Sequence, residues 1–123
     1  MIKLTNKEAS MLLSPVAQRL FTDHRRPFPT RHTFMILDLV NNIESRIELY
    51  RKQTHEVIEK YNGVIKSDGS VACTSEKDTL ELSEKLRELN DIQLEYPGEL
   101  LTMEDWPKLS VQEAMILKPL LKG

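Results

Sequence analysis

One cysteine, four glycines, six prolines and seven aromatic residues are all that 123 positions contain of those types. A lone Cys73 can form neither an internal disulfide nor a paired-thiolate zinc site, and this usage fits a reducing compartment. So little Gly and Pro excludes collagen-like and low-complexity chains. No apolar run approaches the roughly 18 residues of a membrane span. The first residues are too polar for a secretory signal, so the expectation is a cytoplasmic protein. The glycine-rich phosphate loops GxGxxG and GxxxxGK[ST] are absent, as is the nucleophile elbow GxSxG. Neither sign of charge dominates: 17 basic against 19 acidic residues give a net −2. The molecule as a whole is therefore no polycation built to coat DNA or a membrane.

What is present is an ordinary soluble composition, 40% apolar and 29% charged, at the length of one domain. The charge is uneven. Residues 1–62 hold ten basic and seven acidic residues, whereas residues 63–123 hold seven and twelve. Each half can meet a partner of opposite sign, or the two can attract each other within the fold.

The pattern predicts a mainly α protein with minor β. A long antiparallel helical hairpin carries a small β-hairpin at its tip, with short N-terminal helices and a mixed C-terminal segment. Ile2-Lys3-Leu4 alternates as a short strand does, and Thr5-Asn6-Lys7-Glu8 reads as a capping box opening a helix. Ser14-Pro15 interrupts that helix and restarts it, giving short helices within residues 1–22. Residues 23–32 form a basic, Pro-rich loop. Residues 33–62 form a long helix, with Ile36, Val40, Ile43, Ile47, Tyr50, Thr54, Val57 and Tyr61 spaced as a heptad seam. Gly63 is placed for the left-handed conformation that ends it. Residues 64–73 read as a β-hairpin turning at Asp68-Gly69. Residues 75–93 form a second long helix with Leu82, Leu86 and Leu89 inward. In the tail, residues 94–123, Leu94–Tyr96 and Leu100–Thr102 are strand-like, and Ser110-Val111-Gln112-Glu113 opens a short helix.

At 1.5 Å per residue the first long helix spans about 45 Å and the second about 28 Å. Turns around Phe34, Ile36, Leu37 and Val40 are therefore left for the N-terminal helices, the tail or another chain to cover. A monomer covered by its own segments is expected, with a homodimer through the seam as the alternative.

Catalytic constellations are scarce. His55-Glu56-Val57-Ile58-Glu59 resembles a zincin helix but has Glu in place of the second His. Glu104-Asp105 and Glu84-Glu88 are carboxylate pairs with no sign of a burying pocket, and such acids usually solvate a helix face. Cys73 has no neighbouring His and reads as a packed side chain. The expectation is a protein that is not an enzyme and needs neither cofactor nor metal.

The basic loop is the unusual stretch. Arg25, Arg26 and Arg31 offer planar donor forks suited to carboxylate or phosphate, and Phe28 stands between Pro27 and Pro29 on a stiffened backbone. These four are the candidate partner-binding residues, with an acidic protein patch as their target. The bland alternative is a connector with Phe28 tucked inward and the arginines in solvent. Trp106 poses the same choice between closing the end of the bundle and anchoring a partner.

The stretches "HEVIEKYNGVIKSDGSV", "ELSEKLRELNDIQLEYPGELL" and "LSVQEAMILKPLL" give an order of elements that resembles small helical accessory proteins encoded by phages and prophages of Gram-positive bacteria. The resemblance covers roughly residues 33–121 and transfers no site residues. It implies a protein acting by contact in the bacterial cytoplasm: in inhibition of a host defence complex, in host takeover, or as a minor part in particle assembly. The rival reading is a nucleic-acid-binding module using Lys3, Lys7, Arg19, Arg25, Arg26 and Arg31.

Overall fold

The computed structural model describes residues 1–122. The chain opens with strand β1 (Ile2–Thr5), whose alternating side chains put Ile2 and Leu4 fully inside. Thr5 then caps α1 (Asn6–Leu12) as its sequence predicts. Its hydroxyl accepts from the Glu8 N–H at 3.1 Å, and Glu8 Oε1 accepts from the Thr5 N–H at 2.9 Å. Ser14 caps α2 (Pro15–Phe21), with Pro15 in the first turn, where its missing N–H costs nothing.

Helix α3 (Thr30–Lys60) runs unbroken for 31 residues. Its seam faces inward: Ile36, Ile43 and Ile47 are buried, and Val40, Tyr50, Thr54, Val57 and Tyr61 are half-buried. The one polar member, Thr54, turns its hydroxyl onto the Tyr50 carbonyl at 2.8 Å and so carries no unpaired group into the seam. Two boundaries differ from the sequence reading. The helix starts at Thr30 rather than residue 33, because Pro29, as N-cap, already leads the chain into the first turn. Arg31 and His32 therefore sit on the helix and not in the loop. At the other end it is Asn62, not Gly63, that takes positive φ, at 50°. The Asn62 and Gly63 N–H groups bond back to the Glu59 and Ile58 carbonyls, the Schellman pattern. Gly63 is needed for space instead: a Cβ there would lie 2.7 Å from Leu82 Cδ2.

Strands β2 (Val64–Ile65) and β3 (Val71–Ala72) pair antiparallel, with Gly69 at φ +85° in the turn. Ser75 caps α4 (Glu76–Asp91), which buries Leu82 and packs on α3, with Asn90 hydrogen-bonded to the Tyr50 hydroxyl. This helix stops short of residue 93 because Gln93 enters strand β4 (Gln93–Tyr96), paired antiparallel with β1. Asn6 reinforces that stop. Its amide donates to the Leu89 carbonyl and its backbone N–H to the Ile92 carbonyl, both at 2.9 Å. Among the described residues the fold is thus mainly helical, with two small antiparallel sheets.

The tail folds back over this body. Leu100–Thr102, expected as a strand, reduces to one parallel bridge between Leu101 and Leu121. Helix α5 (Val111–Leu117) is capped by Ser110 and Glu113, the predicted box, and packs on α1 and α2. The main core joins Ile2, Leu4, Leu39, Ile43, Tyr96 and Leu117, with Trp106 half-buried against it. Helix α1 packs on α3, where Leu39 and Ile43 join its Ala9 and Leu12 in the core, and Phe21, Pro27 and Phe28 border Ile36. Phe34 and Leu37 remain exposed. No helix among the described residues is long and apolar enough to cross a membrane.

Candidate functional site

Between α2 and α3 the chain turns on Asp23. Its Oδ1 accepts from the Arg25 N–H at 2.9 Å, the local bond that makes Asp a turn residue. Its Oδ2 accepts from Arg26 Nε, also at 2.9 Å. The rest of the Arg26 guanidinium crosses to the tail. Nη1 and Nη2 meet the two carboxylate oxygens of Glu113 at 2.8 and 2.9 Å, and Nη1 also reaches the Lys108 carbonyl at 2.9 Å. This is the planar fork expected of arginine, but directed inward. Glu113 Oε1 accepts in addition from the Ser110 N–H, so one carboxylate caps α5 and anchors the loop.

The surroundings shift these groups in the direction of the ion pairs. Arg26, followed by the Ser110 N–H, holds the Glu113 carboxyl down at about 2. The Arg25 N–H and then the Arg26 side chain lower Asp23. Glu113 and Asp23 in turn raise Arg26.

A second clasp lies at the start of α3. Arg31 pairs with Asp105, and His32 Nε2 lies 3.3 Å from the other oxygen of the same carboxylate. Thr102 donates its hydroxyl to Asp105 at 2.7 Å. That hydroxyl, then Arg31, keeps the Asp105 carboxyl far below the usual carboxylate range.

The four candidate residues thus divide. Arg26 is committed to the fold. Phe28 is half-buried, its ring 6.2 Å from that of Phe21, and packs on the core. Arg31 is clasped to Asp105 yet leaves 72% of its side chain in solvent. Arg25 is 91% exposed, with only Asp23 near it at 3.5 Å. An open groove of about 840 Å³ lies beside them, bounded by Arg19, Asp23, His24, Arg25 and the first turn of α5. Its two acids, Asp23 and Glu113, both pair with Arg26, and with Arg19 and Arg25 the groove carries three arginines against two carboxylates.

The acids that organise this face are 74 to 87 residues from their arginines, and sequence reasoning missed them. Only the capping box marked Glu113 as special. Elsewhere, His55 and Glu59 meet at 3.0 Å on an exposed surface, and Cys73 is a half-buried free thiol. Among the described residues no group of three or more His, Cys, Asp or Glu side chains is arranged to hold a metal ion. No protein-family model, curated protein or solved structure matches this chain.

The clasps make a pH prediction. Glu113 is lowered from 4.5 when unfolded to about 2 when folded. Its contribution to stability is therefore complete above the unfolded value and is lost as pH falls through the folded one. Melting temperature should stay level from neutral pH to about 5, then fall steadily towards pH 2. Glu113→Gln should melt lower at neutral pH and show a shallower acid slope. Thermal melts at stepped pH check both; an unchanged slope in the variant would show that the Glu113 pair contributes nothing.

Proposed function

We propose that this chain is a non-enzymatic accessory protein, of the phage kind its sequence resembles, that binds a larger protein assembly and modulates it, a host defence complex being one such target. It works as a monomer in the bacterial cytoplasm, without cofactor or metal. In this reading α3 and α4 form a long antiparallel hairpin with β2–β3 at its tip, a scaffold for the loop end.

The observation that carries the proposal is an exposed arginine on a fastened loop. Arg25 stands in solvent while the residues on either side are tied down, Asp23 by its turn and Arg26 by its bidentate pair with Glu113. A loop held in place loses little entropy on binding, so more of its contact energy appears as affinity. Arg25, the open edge of Arg31 and Arg19 then face an acidic patch on the partner, while Arg26 and Phe28 hold the shape. The geometry favours this over nucleic acid. Of the six basic residues a phosphate backbone would use, Arg26 is spent on Asp23 and Glu113, and the chain as a whole carries a net charge of −2.

The test is Arg25→Glu. Complexes recovered from a bacterial lysate with the wild-type chain should weaken roughly tenfold or more with the variant, as for an interface hot spot. Because Arg25 is so exposed, the melting temperature should not move. If Arg25→Glu binds as well as wild type, the loop is a connector and the reading fails. If the chain instead binds DNA with an affinity that collapses between low and high salt, the nucleic-acid reading replaces it.

A further inference from the structure

The two sides of α5 lead different lives. Glu113, Ile116 and Leu117 turn inward and are buried. Val111, Met115 and Lys118, spaced at helical i, i+4 and i+7, form an exposed stripe with Ala114 half-buried at its edge. Val111 is 80% and Met115 72% exposed. The stripe is one wall of a groove of about 550 Å³. The floor, formed by Trp106, Pro107, Leu109, Ala114 and Leu121, is half-buried, while the rim residues Met103, Val111 and Met115 are exposed. That gradation describes a concave trough, and a neighbouring hollow sharing Met115, Lys118 and Leu121 extends it towards Met11. The lining is almost wholly apolar, with Lys118 its one charged member, which is the make-up of a site that takes apolar side chains.

Lys118 is the trough's one charged lining residue, and Lys7 with Glu8 lines the hollow beside it. Lys108, Lys118 and Lys122 belong to this segment, and among the described residues none has a carboxylate within ion-pair distance. Of the segment's acids, Asp105 is taken by Arg31 and Glu113 by Arg26, which leaves Glu104 alone. Among the described residues Trp106 Nε1 is the one buried side-chain polar atom without a hydrogen-bond partner.

We infer that this trough docks an amphipathic helix of another protein, one with an apolar ridge and acidic flanks. A helix ridge is the convex shape a trough accepts, and flexible methionines on the rim let it adapt to the ridge. Acidic flanks match the lysines. A second copy of this chain fits less well, because a symmetric contact would set each lysine rim against its own twin. The site is separate from the Arg25 face and stands or falls independently of it.

Trp106 is the only tryptophan, so its fluorescence reads the trough directly. The probe is a synthetic, tryptophan-free amphipathic helix with Leu at i, i+3, i+4 and i+7 and Glu on its flanks. Its control is the same peptide with Lys flanks. The Glu-flanked peptide should shift Trp106 emission saturably, and the Lys-flanked one should bind roughly tenfold more weakly. Met115→Asp should abolish the response and Lys118→Glu should weaken it, both without change in melting, since both side chains are exposed. Arg25→Glu should leave it untouched. Absence of saturable binding, or equal binding of the two peptides, overturns the inference. So does preferential binding to phosphatidylserine vesicles, or a dimer on a sizing column that Met115→Asp dissolves.

Discussion

Ile47→Pro should remove a large share of the fold's stability and pull its urea midpoint far below that of the wild type. Ile47 is 3% exposed and lies in the middle of the 31-residue α3, the helix on which α1 and α4 pack. Proline there removes a backbone donor from the helix interior and drives its ring into the preceding turn, a loss of about 3 kcal/mol or more. It also replaces a well-packed branched side chain with a shorter one. Domains of this size have a total stability of roughly 5–15 kcal/mol, so the loss takes a large share of it. Far-ultraviolet circular dichroism with urea titration reads the outcome. A wild-type transition in the variant would mean that α3 does not organise the fold.

Leu82→Ala should be nearly as damaging but more local. Leu82 is the one fully buried residue of α4, and its Cδ2 fills the space that Gly63 leaves by having no side chain. Truncating a buried leucine costs about 2–5 kcal/mol, the transfer of the lost methyls plus the cavity left behind. The core of Ile2, Leu4, Leu39, Ile43 and Tyr96 lies elsewhere, so α4 and β2–β3 should loosen first. Amide exchange should therefore speed up over residues 64–91 at denaturant concentrations that leave α1 and β1 protected. Uniform acceleration across the chain would show instead that the two regions unfold as one unit.

Whether a feature was legible in the sequence depended on how far its cause reached along the chain. Both α-helix capping boxes, Thr5 with Glu8 and Ser110 with Glu113, are three-residue affairs and could be read directly. The seam of α3 was equally plain, because its signal repeats over eight positions. The end of that helix was half-read. Gly63 suggested the left-handed residue, but Asn62 tolerates that conformation, and the absent Cβ is required by Leu82, a residue nineteen positions on. Helix α4 was read to Gln93 because its composition stays helical there. Pairing with β1 and the side chain of Asn6, distant in sequence, override that preference.

The loop was legible as unusual but not as to its use. Composition marked Arg25, Arg26, Phe28 and Arg31 as a set, yet only three-dimensional proximity shows Arg26 bound to Glu113 and Arg31 to Asp105. No local pattern separates an arginine that closes a fold from one that greets a partner. Likewise Met115 and Val111 look like core residues of an amphipathic turn, and it takes the packed position of α5 to reveal them on the outside.

We propose that the chain acts by contact through the face around Arg25. Hydrogen–deuterium exchange on the chain alone and in the complex recovered from lysate tests it most directly. Exchange should slow over residues 22–31 and at Ser110–Glu113, with residues 64–73 unchanged. Protection confined to the β2–β3 end, with residues 22–31 exchanging as in the free chain, would contradict it.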